Sequence, residues 1–383
     1  MKTFDVYPLF PITPVKAKGS WVWDDEGNKY LDLYGGHAVI SIGHTHPYYV
    51  DAIAKQLQKI GFYSNSVQNP LQEKLAERLG EVSGYPDYQL FLCNSGAEAV
   101  ENALKIASFV TGRKKIIAFK KAFHGRTSAA VATTDNPKIV APVNAGHDIV
   151  FTPLNDTAAF NAVMSDDVAA VLIEGIQGLG GIHEPEDSFL QFLEEKCKQH
   201  NAMLILDEIQ SGYGRSGHFF AHQRSGIKPH LITVAKGMGN GFPIGGVLIH
   251  PDIKPWSSML GTTFGGNYLA SVAALAVLDV IENEKLITNA KETGDYLLNK
   301  LNVIPEFTAV RGRGLMIGLD VPETHKSLRK DLLMKYKIFT GESYPNTIRI
   351  LPPLSLSKEE VDFFIESLKS CLADMEVPVQ SKV

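Results

Sequence analysis

Between residues 47 and 234 the chain alternates segments patterned for helix with segments patterned for strand, and nothing else in the sequence constrains the fold as strongly. Residues 48–60, 70–82 and 98–110 carry apolar side chains at helical spacing, whereas 89–92, 115–119, 148–151, 168–173, 203–206 and 231–234 are short apolar runs of strand length. Strands separated by helices pair in parallel, so the expectation is an α/β protein with a mostly parallel central sheet and helices on its faces.

At 383 residues the chain exceeds the size at which one core stops growing, which predicts two domains. The pattern divides into an N-terminal arm and hairpin over 1–46, a large domain over 47–282 and a smaller α+β domain over 283–383. Prolines at 8, 11 and 14 keep the arm extended. Residues 19–33 read as two strands around an Asp/Glu/Gly/Asn turn, a hairpin that should stand apart from the main sheet and join the small domain. Long apolar helices over 268–281 and 286–301 lead into strands at 308–310, 316–320 and 347–350 and helices at 326–334 and 358–371.

Composition excludes several functions. Hydrophobic residues at 44%, charged residues at 21% and a net charge of −5 describe an ordinary globular protein, without the basic surface that nucleic acid or anionic membrane requires. Residues 1–8 lack the apolar core of a signal peptide and no window is long and apolar enough to span a bilayer, so a cytoplasmic protein is expected. Cys93, Cys197 and Cys371 are far apart and lack metal-ligand spacing, which fits buried thiols in a reducing compartment and no metal site.

Chemistry concentrates at the strand ends, where α/β proteins collect ligands. The run 203–206 ends at Asp207, and the run 231–234 leads through Ala235 to Lys236 and a glycine-rich stretch to Gly246. A carboxylate there can hold a cofactor nitrogen protonated and a lysine can form a Schiff base with an aldehyde. Taken singly, Asp207 is equally a helix cap and Lys236 a surface amine. The turn Asn94-Ser95-Gly96-Ala97 opens a helix whose free N–H groups suit a phosphate, although Ser95 could be a plain cap. It is neither a Walker A loop nor a dinucleotide fingerprint. Phe123, His124 and Arg126 follow another strand, offering a ring to stack, an imidazole and a carboxylate fork, or simply a core ring and a surface charge. Arg349 is likewise an edge charge or a second carboxylate clamp.

Together these motifs resemble the class III, ornithine-type, pyridoxal-phosphate (PLP) aminotransferases, and within them those acting on acylornithines. The resemblance runs through Gly43-His44-Thr45-His46-Pro47, Ser95-Gly96-Ala97-Glu98-Ala99, Phe123-His124-Gly125-Arg126, Leu206-Asp207-Glu208-Ile209-Gln210, Ala235-Lys236-Gly237 and Thr263-Phe264-Gly265-Gly266-Asn267, and so covers nearly the whole chain. It implies a fold-type I PLP enzyme, a homodimer with active sites at the subunit interface, serving arginine metabolism. It implies that Lys236 links to the cofactor aldehyde and later carries the proton, that Asp207 pairs with the pyridine nitrogen and that Gln210 touches the phenolic oxygen. Phe123 would stack on the ring beside His124, while Ser95, Gly96 and Ala97 hold the phosphate and Thr263 reaches the phosphate in the partner subunit. Arg126 would anchor the acylornithine carboxylate and Arg349 the α-carboxylate of 2-oxoglutarate. Free ornithine, 4-aminobutyrate or a diamine is the alternative donor, and a non-catalytic PLP-binding protein the reading from another class.

Three positions depart from the family pattern. Where the family reads Glu-Pro-(Ile/Val)-Gln-Gly-Glu-Gly-Gly, this chain has Glu174-Gly175-Ile176-Gln177-Gly178-Leu179-Gly180-Gly181. The second glutamate commonly neutralises the C-terminal arginine, which Leu179 cannot do. Either the pocket favours a donor with an extra carboxylate, N-succinylornithine over N-acetylornithine, or another acid stands nearby and the change is neutral. Gly175 for proline and His230 for aspartate read as structural variation.

Overall fold

The computed structural model describes residues 1–376, folded around three β-sheets. β1 (Pro14–Lys18), β2 (Trp21–Asp24) and β3 (Lys29–Asp32) form an antiparallel meander. The expected hairpin turn closes because the Asp24 carboxylate accepts the backbone N–H groups of Glu26 and Asn28 at 3.1 and 2.8 Å, an Asx-type turn.

The central sheet contains β4 (Gln89–Cys93), β5 (Lys115–Phe119), β6 (Ile149–Thr152), β7 (Val168–Glu174), β8 (Met203–Asp207), β9 (Leu231–Val234) and β10 (Gly245–Ile249) in the order β4-β10-β9-β8-β7-β5-β6. The pairs β5–β6, β5–β7, β7–β8 and β8–β9 are parallel, with helices between the strands, as the alternation predicts. All of β7 is buried, which a parallel strand covered on both faces requires. β10 was not anticipated. It is reached from β9 by a glycine-rich loop, residues 235–244, that holds a single 3-10 turn instead of a crossover α-helix, and it runs antiparallel between β9 and β4. Gly245 makes this insertion possible: a Cβ there would lie 2.6 Å from the Ser95 carbonyl oxygen.

The remaining strands are β11 (Ala309–Arg313), β12 (Met316–Asp320), β13 (Ile338–Phe339), β14 (Gly341–Ser343) and β15 (Thr347–Ile350). β11, β12, β15 and β14 build an antiparallel sheet, while β13 pairs in parallel with β3 and so ties the N-terminal meander to the C-terminal part of the chain. Helix Leu286–Leu301 occupies the expected residues, whereas the last helix, Lys358–Glu376, runs beyond the expected 371. Helix Asp187–His200 carries so many charged residues that its apolar face, Phe189, Leu190, Leu193 and Cys197, was not recognised. Cys93, Cys197 and Cys371 are all buried free thiols, and no cluster of metal-ligand side chains occurs among the described residues. No described helix is long and apolar enough to cross a membrane.

Candidate active site

Three adjacent strands end in register at one place. Glu174 of β7 lies opposite Asp207 of β8, and Asp207 opposite Thr233 of β9, with Lys236 three residues further on. These ends open into a cavity of about 580 Å3 whose walls include Ser95, Gly96, Ala97, Phe123, His124 and Arg126 from earlier loops and Arg349 from β15. Residues separated by hundreds of positions thus meet where the strand-end rule expects a ligand.

Asp207 is buried and tightly held. Its Oδ1 accepts the backbone N–H of Ile209 at 3.1 Å and the Thr233 hydroxyl at 3.2 Å, and its Oδ2 lies 2.7 Å from His124 Nδ1. The His124 ring is itself fixed through its backbone, which donates to Thr134 Oγ1 at 2.9 Å. His124 Nε2 is buried without a protein partner. Beside this pair, Glu174 accepts the N–H groups of Phe123 and Gly178, both at 3.0 Å, so one carboxyl fixes both the stacking-ring loop and the loop that carries Leu179. Burial, reinforced by the Asp207 charge, pushes the Glu174 carboxyl up to about 7.

Lys236 sits at a left-handed backbone position, φ 47°, two residues after the end of β9. Burial lowers its ammonium pKa, against the pull of Asp207 and Glu174. The loop that presents it is anchored by Asn240, whose Oδ1 accepts the N–H groups of Ser41 and Ile42 at 2.8 and 3.1 Å and whose Nδ2 donates to Gly43 O at 3.0 Å. The Ser41 hydroxyl completes the tie by donating to Gly237 O at 2.7 Å.

On the opposite wall, helix Gly96–Thr111 points its N-terminus into the cavity. Ser95 is the cap, its oxygen accepting the Glu98 N–H at 3.2 Å, so the open alternative at this residue resolves toward a cap that still faces the cavity. The Gly96 and Ala97 N–H groups have no acceptor among the described residues, leaving two donors and the positive helix end free for an anion.

Arg126 is exposed at the cavity rim, while Arg349 is 2% exposed within it. Arg349 Nε donates to the Glu342 carbonyl at 3.0 Å and Nη1 to Gln210 Oε1 at 3.5 Å; no carboxylate pairs with it among the described residues. Burial lowers the pKa of this guanidinium. Gln210 is braced by donating to His37 O at 3.0 Å and lies directly over Gly178, where a Cβ would fall 1.8 Å from Gln210 Oε1. Leu179, 41% exposed, follows in the same wall. Thr263 is the exception: it is exposed and not part of this cavity within one chain.

The donor set fits pyridoxal phosphate. A buried carboxylate suits a protonated ring nitrogen, an amine of lowered pKa suits an aldehyde, and unpaired helix N–H groups suit a phosphate. Glu174, His37 and Tyr7 of this wall, and Asn240 in the loop that carries Lys236, are not among the residues the sequence motifs single out. Glu174 was findable by the rule that found Asp207, since it too ends a buried strand; Asn240, between two glycines, carried the signature of a left-handed turn.

Comparison with known proteins places the chain. The family model described as Aminotransferase class-III matches residues 5–372. The chain is 39% identical over 381 residues to the acetylornithine aminotransferase of Bacillus subtilis, covering 97% of each protein. Among solved structures, it superposes with a TM-score of 0.91 on the ornithine aminotransferase of Toxoplasma gondii, at 28% identity and covering 97% of this chain and 93% of that one. It superposes at 0.83 on the acetylornithine aminotransferase of Elizabethkingia anophelis, at 29% identity and covering 97% and 96%.

Proposed function

The chain belongs to the class-III aminotransferases, and from that premise we propose that it transfers the δ-amino group of an N-acylornithine, acetyl or succinyl, to 2-oxoglutarate, giving the N-acyl glutamate semialdehyde and glutamate. The observation that carries this reading is the presence of two guanidinium groups, Arg126 and Arg349, in one cavity with Lys236. An amino donor with one remote carboxylate needs one clamp, and 2-oxoglutarate with a carboxylate at each end needs both. Relatives named acetylornithine aminotransferase support the choice of donor.

Bound in the cavity, pyridoxal phosphate supplies an electron-poor ring that stabilises negative charge on the reacting carbon. In our assignment Asp207 keeps the ring nitrogen protonated, with its own orientation set by His124, Thr233 and the Ile209 N–H. Lys236, less basic than an ordinary lysine because it is buried, takes the proton from the substrate carbon and returns it. Phe123 packs on the ring face, Gln210 meets the phenolic oxygen, and Ser95, Gly96 and Ala97 hold the phosphate. Arg126 takes the donor carboxylate and Arg349 the α-carboxylate of the oxo acid. We assign residues 47–282 as the cofactor-holding unit and 1–46 with 283–383 as the smaller one, of which 377–383 lie outside the described residues.

We also assign a homodimer in which Thr263 serves the partner's phosphate site. Its surroundings support this: Phe62, Tyr63 and Phe264 are 44%, 56% and 59% exposed, and the Phe62 and Phe264 rings pack in a tilted pair with centroids 5.3 Å apart, an apolar face of the kind that marks an interface.

Glutamate formation from 2-oxoglutarate, measured with N-acetylornithine, N-succinylornithine, ornithine and 4-aminobutyrate as donors, tests the assignment. An acylornithine should have the highest kcat/KM, and Lys236→Ala should abolish turnover. A higher value for ornithine or 4-aminobutyrate would transfer the chain to another class-III activity.

A further inference from the structure

Arg349 is a buried cation whose only side-chain acceptor among the described residues is a neutral amide, Gln210 Oε1 at 3.5 Å. Buried charges are ordinarily paired, because an unpaired one forfeits its hydration without compensation. No carboxylate of the neighbouring wall contacts it among the described residues, and Glu174 and Glu342 act on it only through their charges. Glu174 spends its two oxygens on the Phe123 and Gly178 N–H groups, Glu342 directs its carboxylate to Arg329 at 2.8 Å, and Leu179 is apolar. Gly178, immediately before Leu179, lies against the same Gln210 oxygen that touches Arg349, so position 179 stands at the edge of the guanidinium's surroundings.

We propose that Leu179 is a specificity-determining residue that leaves Arg349 permanently open, so that the cavity favours any ligand with a carboxylate on its reacting carbon. The inference rests on the aminotransferase reading above. A ligand of that kind, an α-amino acid or a 2-oxo acid, gains a buried ion pair without first breaking an internal one. An ω-amine donor such as an acylornithine has no carboxylate on its reacting carbon and leaves the cation bare. Two consequences follow. Dicarboxylates, including 2-oxoglutarate itself, occupy the site in the enzyme form that awaits the donor, and they compete with it. Glutamate, which carries the α-carboxylate, is favoured as a donor relative to acylornithine.

A glutamate introduced at 179 would supply the missing partner and close the clamp. The decisive probe is glutarate, a dicarboxylate with no oxo group to react, titrated calorimetrically into the holoenzyme of the native protein, Leu179→Glu, Leu179→Asp and the uncharged Leu179→Gln. Leu179 is partly exposed, so these changes are compatible with folding, which thermal unfolding checks. Glutarate binding is expected to weaken about tenfold or more in an acid variant and to change less than about threefold in Leu179→Gln. In parallel, inhibition by 2-oxoglutarate should be relieved and the glutamate-to-acylornithine ratio of kcat/KM should fall in the acid variants alone. Acid variants that bind glutarate less than about threefold more weakly than the native protein, or a Leu179→Gln loss as large as theirs, overturn the proposal. If the native enzyme uses no acylornithine, the proposed function fails while the glutarate titration still decides the role of Leu179.

Discussion

Asn240 offers the most quantitative test of how the site is held. Its side chain makes three bonds to the segment 41–43, accepting from Ser41 N and Ile42 N and donating to Gly43 O, and its backbone adopts φ 48°. Replacement by alanine leaves two buried N–H groups without acceptors, at about 1–3 kcal/mol each. Alanine also lacks the short polar side chain that lets asparagine occupy the left-handed region, where an ordinary residue costs about 1–2 kcal/mol. The sum predicts that Asn240→Ala loses roughly 3–8 kcal/mol of folding free energy. Asn240→Gly keeps the hydrogen-bond loss but escapes the left-handed cost, so it should be more stable than the alanine variant by about 1 kcal/mol. Urea titration followed by tryptophan fluorescence reads both values. Alanine within about 1 kcal/mol of the native protein, or glycine no better than alanine, would refute the assignment of this residue as the clasp beneath Lys236.

Two further outcomes follow from the cavity wall. Glu174 has its carboxyl raised from the ordinary 4.5 to about 7, so the native state holds that proton more tightly than the unfolded chain does. Its contribution is therefore fully present below pH 4.5 and lost as pH rises through 7; relative to Glu174→Gln, native stability should decline on the order of 3 kcal/mol across that window, and parallel pH curves would sink the idea. In Gly178→Ala the new Cβ would lie 1.8 Å from Gln210 Oε1, forcing Gln210 off Arg349, and the KM for 2-oxoglutarate should rise roughly fivefold, whereas an unchanged KM would show that Gln210 does not brace the guanidinium.

What the sequence disclosed follows from the range of the interactions involved. The parallel strands were legible because each is a short, wholly apolar run, and Asp207 and Lys236 because they stand where such runs stop. β10 was hidden because its reversal depends on glycines approaching the Ser95 turn, a contact between distant segments. Asp207 and His124 lie 83 positions apart, and no local pattern announces their 2.7 Å contact. The hydroxyl of Ser95 was legible only as two alternatives, since capping and anion binding draw on the same helix end. Thr263 lies outside the single-chain cavity, so its expected role depends on a surface that one chain does not contain.

Glu174, Asp207 and Thr233 are neighbouring rungs of one backbone ladder. Their lateral spacing is thus a property of strand pitch, about 4.8 Å per step, and not of the side chains themselves. Substitution can change which group stands on a rung but not how far apart the rungs are. Chemistry in this cavity can be retuned from the loops, such as the one bearing Leu179, while the distance between its acids stays fixed by the hydrogen bonds of the sheet.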